Sequence, residues 1–227
     1  MRELQPYFAE FFSTFALVFI GAGAVVMDTV SGGALGLLGV AVAHGLVLMS
    51  MIYAVGHVSG AHVNPAVTAA MWVTRQIRGH TALLYVVAQL LGAALAGFLL
   101  LGIFPAATAN LGVPDLGANV SFFQGILVEA VLTFFLVFTI FGVAVDKRAP
   151  AGVYGAAIGL VLTFDILFGG LLTGGAMNPA RAFGPALASG YWATQLVYWI
   201  GPLVGAIVAG LSYRYLLLDH NALKKMR

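Results

Sequence analysis

Two Asn-Pro-Ala triplets, Asn64-Pro65-Ala66 and Asn178-Pro179-Ala180, are the residues whose type and spacing suggest chemistry first. Asn is among the best helix N-caps, and Pro suits the first helical position, so each triplet reads as a helix start. A helix N-terminus carries about half a positive charge, and Asn adds amide donors. Two such starts aimed at one point would repel a cation while holding the oxygen of a neutral polar molecule. Arg181 follows the second triplet directly, and His44, Glu10, Glu129 and Asp165 also stand in apolar surroundings. Covalent chemistry is poorly provided for: there is no cysteine, and Ser59, close to His57 and His62, has no clear acid partner in the sequence.

The elements that position these residues follow from composition. The 227 residues are 61% hydrophobic and 8% charged, against roughly 25% charged for a soluble domain. Mean hydropathy is +1.01. Such a chain has a bilayer for solvent, which excludes a soluble enzyme, a nucleic-acid binder and a disulfide scaffold. A spanning helix needs about 20 apolar residues. Apolar runs of that order fall at 7–27, 35–56, 81–104, 121–145, 152–172 and 194–218. The first is too long for a signal-peptide core and lacks an A-x-A cleavage pattern, so it is expected to be a span. Two shorter runs, 62–74 and 176–188, suit re-entrant half-spans. The expected fold is all-α, with six transmembrane helices and two re-entrant half-helices in a single domain over 1–227.

Threading six spans places nine of the ten basic residues on one face: Arg2, Arg75, Arg78, Lys147, Arg148, Arg214, Lys224, Lys225 and Arg227. The positive-inside rule makes that face cytoplasmic, with both termini there and the chain in the cell membrane. The tenth, Arg181, lies inside the second half-span, where a charge is expected to border a pathway.

The chain repeats itself in order. Glu10, Thr14, Phe15, Leu17, Val18 and Phe19 match Glu129, Thr133, Phe134, Leu136, Val137 and Phe138; Gly45 matches Gly159, and the two Asn-Pro-Ala triplets match each other. The units run over about 1–104 and 121–218. Three spans per unit is odd, so the second unit enters from the opposite face. Folds of that kind place their site at the repeat interface near mid-bilayer.

Over essentially its whole length the sequence resembles the aquaporins, the major intrinsic protein family. The resemblance rests on the doubled E-x-x-x-T, on Ser59 to Thr68 (SGAHVNPAVT) and on Gly174 to Ala186 (GGAMNPARAFGPA). It implies two half-helices meeting centrally, one pore per protomer and a homotetramer. Permeants would be water and small neutral solutes, with no cofactor, metal, catalytic residue or nucleic-acid partner. It also implies a selectivity filter of His44, Ile166, Gly175 and Arg181. Ala182, Ala186 and the Tyr198-Trp199 pair side with the water channels rather than with glycerol and urea facilitators, the alternative reading. His44 with Ile166 resembles the plant vacuolar-membrane branch, so a wide filter passing ammonia or hydrogen peroxide is expected, with His44 and Arg181 as donors. The loop 105–119 contains no His to add to it.

Glu10 and Glu129 are expected to accept backbone N–H groups of the re-entrant loops, which need partners at membrane depth. Asp165, one residue from Ile166, should turn about 100° away from the pore and be hydrogen-bonded. His57 should end the second span near the cytoplasmic mouth. A secondary transporter remains the less favoured alternative, since it would carry more intramembrane charge.

Overall fold

The computed structural model describes residues 2–218. Lys224, Lys225 and Arg227 lie outside the described residues. Within them the regular structure is helical. Among the described residues six helical segments are long and apolar enough to cross a membrane: α1 (Gln5–Val30), α2 (Gly36–Ser59), α4 (Gly79–Ile103), α6 (Tyr154–Thr173), and α5 (Phe122–Ile140) and α8 (Val197–Ser212) taken with the turns that extend them. Short π-helical turns, Phe141–Val145 and Tyr213–Leu217, extend α5 and α8. The two short helices are α3 (Pro65–Val73) and α7 (Pro179–Ser189).

Local chemistry sets the ends. The Asn64 and Asn178 side chains cap α3 and α7, each with Pro at the first position. Ser121 and Gln124 close a capping box on α5. Gly60 and Gly174 end α2 and α6 in the left-handed conformation that glycine adopts without a Cβ penalty. Asp28 reaches across the first loop, its Oδ1 accepting the N–H groups of Leu35 (3.0 Å) and Gly36 (2.7 Å) at the start of α2.

The two half-spans are shorter than their apolar runs. Residues 61–63 and 175–177 precede α3 and α7 as irregular backbone, with Ala61, Val63, Gly175 and Met177 at positive φ. The loop 105–121 also departs from a plain connector. It forms a tight turn in which Ala109, Asn110 and Leu111 all have positive φ, and Leu111 is fully buried.

The two halves of the chain pack alike. α1 lies on α4 as α5 lies on α8, and each half-helix packs on a long helix of the other half, α7 on α4 and α3 on α8. α2 and α6 cross at Gly45 and Gly159, where a Cβ on Gly159 would come within 2.6 Å of the Gly45 carbonyl oxygen. The small residues Gly92 and Gly205, on helices that suit close packing in lipid, approach the backbones of Phe11 and Ala130 within the protomer. Phe8, Leu38, Leu83, Phe123 and Leu171 are exposed on the outside, as lipid allows.

Candidate functional site

The tips of α3 and α7 are tied to each other crosswise. Asn64 Nδ2 donates to the Met177 carbonyl at 2.8 Å, and Asn178 Nδ2 donates to the Val63 carbonyl at 2.9 Å. Each Asn Oδ1 is occupied at home: Asn64 accepts from Ala66 N (2.8 Å), and Asn178 from Ala180 N (3.0 Å) and Arg181 N (3.3 Å). An amide NH2 has two donors, so each Asn retains one beyond its crosswise bond.

Val63 and Met177 sit at φ +57 and +51, a costly region for side-chain-bearing residues, β-branched Val above all. Such strain persists when the surroundings over-determine it. Here the Asn amides hold the two carbonyls, and two carboxylates hold the N–H groups. Glu10 accepts from His62 N (2.9 Å), Val63 N (2.7 Å), Ser59 Oγ (2.7 Å) and Gln89 Nε2 (2.8 Å). Glu129 accepts from Ala176 N (3.0 Å), Met177 N (2.6 Å) and Thr173 Oγ1 (2.7 Å). Both carboxylates are fully buried. Ser59 thus does meet an acid, but as donor to Glu10, with no imidazole between them. Tyr85 and Tyr198 brace the same loops, donating to the Ser59 carbonyl (2.9 Å) and the Thr173 carbonyl (2.7 Å).

A cavity of about 300 Å³ passes these tips. At one end it is bordered by His44 and Arg181, at the middle by Asn64, Asn178, His62 and Ala176, and at the other by Ile140, Val145, Tyr154 and His57. Its walls are mostly apolar: Leu17, Leu48, Val67, Leu136 and Leu162 contribute. His62 is among the lining residues, and its ring Nδ1 lies 3.1 Å from Thr68 Oγ1.

Arg181 is buried and held from two sides. Its Nη1 donates to the Gly112 carbonyl at 2.5 Å, and its Nε donates to His44 Nε2 at 3.4 Å. His44 Nδ1 lies 2.9 Å from the Val40 carbonyl. A carbonyl on one nitrogen and a donor on the other select the neutral imidazole with its proton on Nδ1. The donor expected from His44 is therefore not free, because Val40 takes it. Ile166 and Gly175 meet each other: a Cβ on Gly175 would lie 3.2 Å from Ile166 Cα. Neither borders the 300 Å³ cavity. His44 and Arg181 come together; Ile166 and Gly175 form a separate contact.

Asp165 is 1% exposed and does not border the cavity. Its Oδ2 has no hydrogen-bond partner among the described residues, contrary to the expectation of a bonded carboxylate. It shares a helix face with Val161 and Gly169, and that face packs on Leu132 of α5, where no donor reaches this oxygen.

Two site residues escaped the sequence. Gly112 offers only a carbonyl, delivered by a loop that presses on α1; a Cβ at Gly112 would lie 2.5 Å from the Ala22 oxygen. Its signal was the lone glycine after Leu111, which only a backbone argument could have used. Asp115 anchors the same loop, accepting from Tyr191 Oη and from Thr194 Oγ1 at 2.9 Å. That bond from Tyr191 holds its phenol above the usual range. At the far mouth, Arg148 Nη2 meets Asp146 Oδ2 at 2.5 Å and donates to the Leu217 carbonyl at 2.8 Å. The hydrogen bond from Arg148 pulls the Asp146 pKa down to about 2.

Six crossings, two capped half-helices joined at their tips and a cavity alongside define a pore-forming membrane protein. The profile of the major intrinsic protein family matches residues 1–213, and the chain belongs to that family. It is 46% identical to aquaporin TIP4-4 of Zea mays over 92% of this chain and 85% of that protein. It is 42% identical to aquaporin AqpM of Methanothermobacter marburgensis over 92% of this chain and 95% of that one. Among solved structures it resembles the aquaglyceroporin of Plasmodium falciparum, with a TM-score of 0.83, 24% identity and coverage of 94% and 96% of the two chains. That last likeness speaks for the fold alone. The protein is a passive channel for water and small solutes, not an enzyme, in a multi-pass membrane setting.

Proposed function

We propose that the channel conducts water together with small neutral solutes such as ammonia and hydrogen peroxide, and excludes protons and ions. The observation that carries this is the crosswise Asn64–Met177 and Asn178–Val63 bonding beside an open cavity. Joined in this way, the electropositive ends of α3 and α7 meet at one point. About half a charge from each, in a low-dielectric setting, repels cations including hydronium. The remaining Asn donors can hold a solute oxygen, and mostly apolar walls otherwise leave it unbound.

In this reading His44, Ile166, Gly175 and Arg181 form the selectivity filter, the chain is an inverted repeat with cytoplasmic termini in the cell membrane, and four copies assemble. Glycine at position 175 adds no side chain, which favours a filter wider than water alone needs, and Ile166 packs against that glycine. Glycerol and urea passage is the second reading; Ala182, fully buried beside Arg181, is among the residues that side against it.

The test is stopped-flow permeation in proteoliposomes with water, ammonia, peroxide, urea and glycerol, alongside a pH-gradient dye. Fast water, ammonia and peroxide flux with no proton leak is expected. Water flux alone would refute the wide filter, and fast glycerol flux would favour the second reading. Native mass of the detergent-solubilised protein reports the copy number.

A further inference from the structure

The structure assigns Gly21, on α1, as a positioning residue that shapes the Arg181 end of the cavity by seating the His44 ring against the α1 backbone. This inference rests on the reading that the Arg181 end is the selectivity step. Gly21 lies one helical turn after Leu17, which borders the cavity. A Cβ there would lie 2.5 Å from His44 Cδ2, 2.5 Å from Nε2 and 3.1 Å from Cε1. The three nearest atoms all belong to that ring. It cannot back away: Nδ1 is tied to the Val40 carbonyl, Nε2 accepts from Arg181, and the residue is 4% exposed. The open space it already borders is the cavity.

The other half of the chain provides an internal comparison. The E-x-x-x-T register pairs Gly21 with Ile140, and the second-span register pairs His44 with Ile158. Both isoleucines border the cavity at its opposite end. A large side chain at this register is therefore compatible with the helix and with the cavity. Its absence at Gly21 goes with the ring beside it. Without a Cβ, the imidazole lies back on α1 and turns its lone pair to Arg181 Nε, while Gly112 holds Nη1. Any side chain at position 21 drives the ring toward the aperture and breaks the His44–Arg181 bond.

The experiment compares wild type, Gly21→Ala, His44→Ala and the double variant in proteoliposomes. Ammonia and peroxide permeability are each divided by water permeability. In parallel, the His44 imidazole ¹⁵N resonances are followed, identified by their loss in His44→Ala. Gly21→Ala should lower the solute-to-water ratio roughly tenfold, the lower end of what one misplaced methylene-sized group does to discrimination. It should also move the Nε2 resonance to that of a nitrogen without a donor. The double variant should recover the ratio of His44→Ala. An unmoved resonance, an unmoved ratio, or the same loss in the His44→Ala background would each overturn the inference. If wild type passes neither solute, the wide-filter reading fails and the resonance alone decides the role of Gly21. If Gly21→Ala does not fold, recovery of folded protein in the double variant supports the clash, and no recovery overturns it.

Discussion

Glu129 supplies the acceptor that a buried loop needs. Three donors converge on one carboxylate, two of them backbone N–H groups, one belonging to Met177 at positive φ. Removing the acceptor leaves those two buried and unpaired, at about 1–3 kcal/mol each. Glu129→Ala should therefore destabilise the protein by about 2–6 kcal/mol, read as a lower melting temperature in detergent. Glu129→Gln, which keeps one acceptor oxygen, should fall between; melting of Glu129→Ala at the wild-type temperature would refute this role. The part played by both glutamates was legible because a carboxylate within an apolar run must have a partner, and the repeat doubled the signal. Gly21 and Gly112 were not. One acts by lacking a Cβ and the other through a carbonyl, and neither leaves a side-chain signature. Asp165 was legible as buried but not as unsatisfied, because hydrogen-bond partners come from other helices.

At the scale of elements, the crossing of α2 and α6 has almost no slack. A Cβ on Gly159 would lie 2.6 Å from the Gly45 oxygen and 2.7 Å from Met49 Cβ. The first is backbone and cannot rotate away, so the helices must part. Gly159→Ala should lose about 1–3 kcal/mol or more, and thermal unfolding in detergent checks it. An unchanged midpoint would mean the helices separate freely here. The mouth beyond α5 answers to pH instead. Asp146, held by Arg148, has its folded pKa below the ordinary carboxylate value, at about 2. Its contribution is thus present above the unfolded value near 4. It is lost only as pH falls through the folded value. Protection of the Arg148 amide, which donates to Asp146 Oδ1 at 3.0 Å, should stay level from pH 7 to pH 4 and drop toward pH 2. In Asp146→Asn, which keeps an acceptor oxygen but does not titrate, it should not change over this range; in the wild type a loss between pH 7 and pH 5 would show that another group governs this clasp. The spans themselves were legible from run length. The half-helices came out shorter than their apolar runs because Asn-Pro starts a helix, and the residues before it turn left-handed to bring their carbonyls to the opposite tip. The π-helical turns had no signal in hydropathy.

For the whole molecule the question is whether passage needs the protein to move. The doubled motif made the six-span plan and the meeting of two helix starts readable, since each follows from counting runs and from helix-cap chemistry. How the tips join was not readable, because each crosswise bond links residues more than a hundred positions apart. That bonding bears on conduction. Both tips are fixed by reciprocal hydrogen bonds, their loops are clamped by buried carboxylates, and the cavity reaches past them from Arg181 to His57 without rearrangement. A rocking transporter would have to break such contacts once per cycle, and its flux would level off as the cycle became limiting. A standing pore has no such cycle. Water flux in proteoliposomes should therefore rise in proportion to the osmotic gradient in either direction, with no plateau and no dependence on an imposed ion gradient. Saturation of that flux, or its acceleration by a proton or sodium gradient, would mean that the tips part during transport and that the fixed junction between α3 and α7 is not the conducting state.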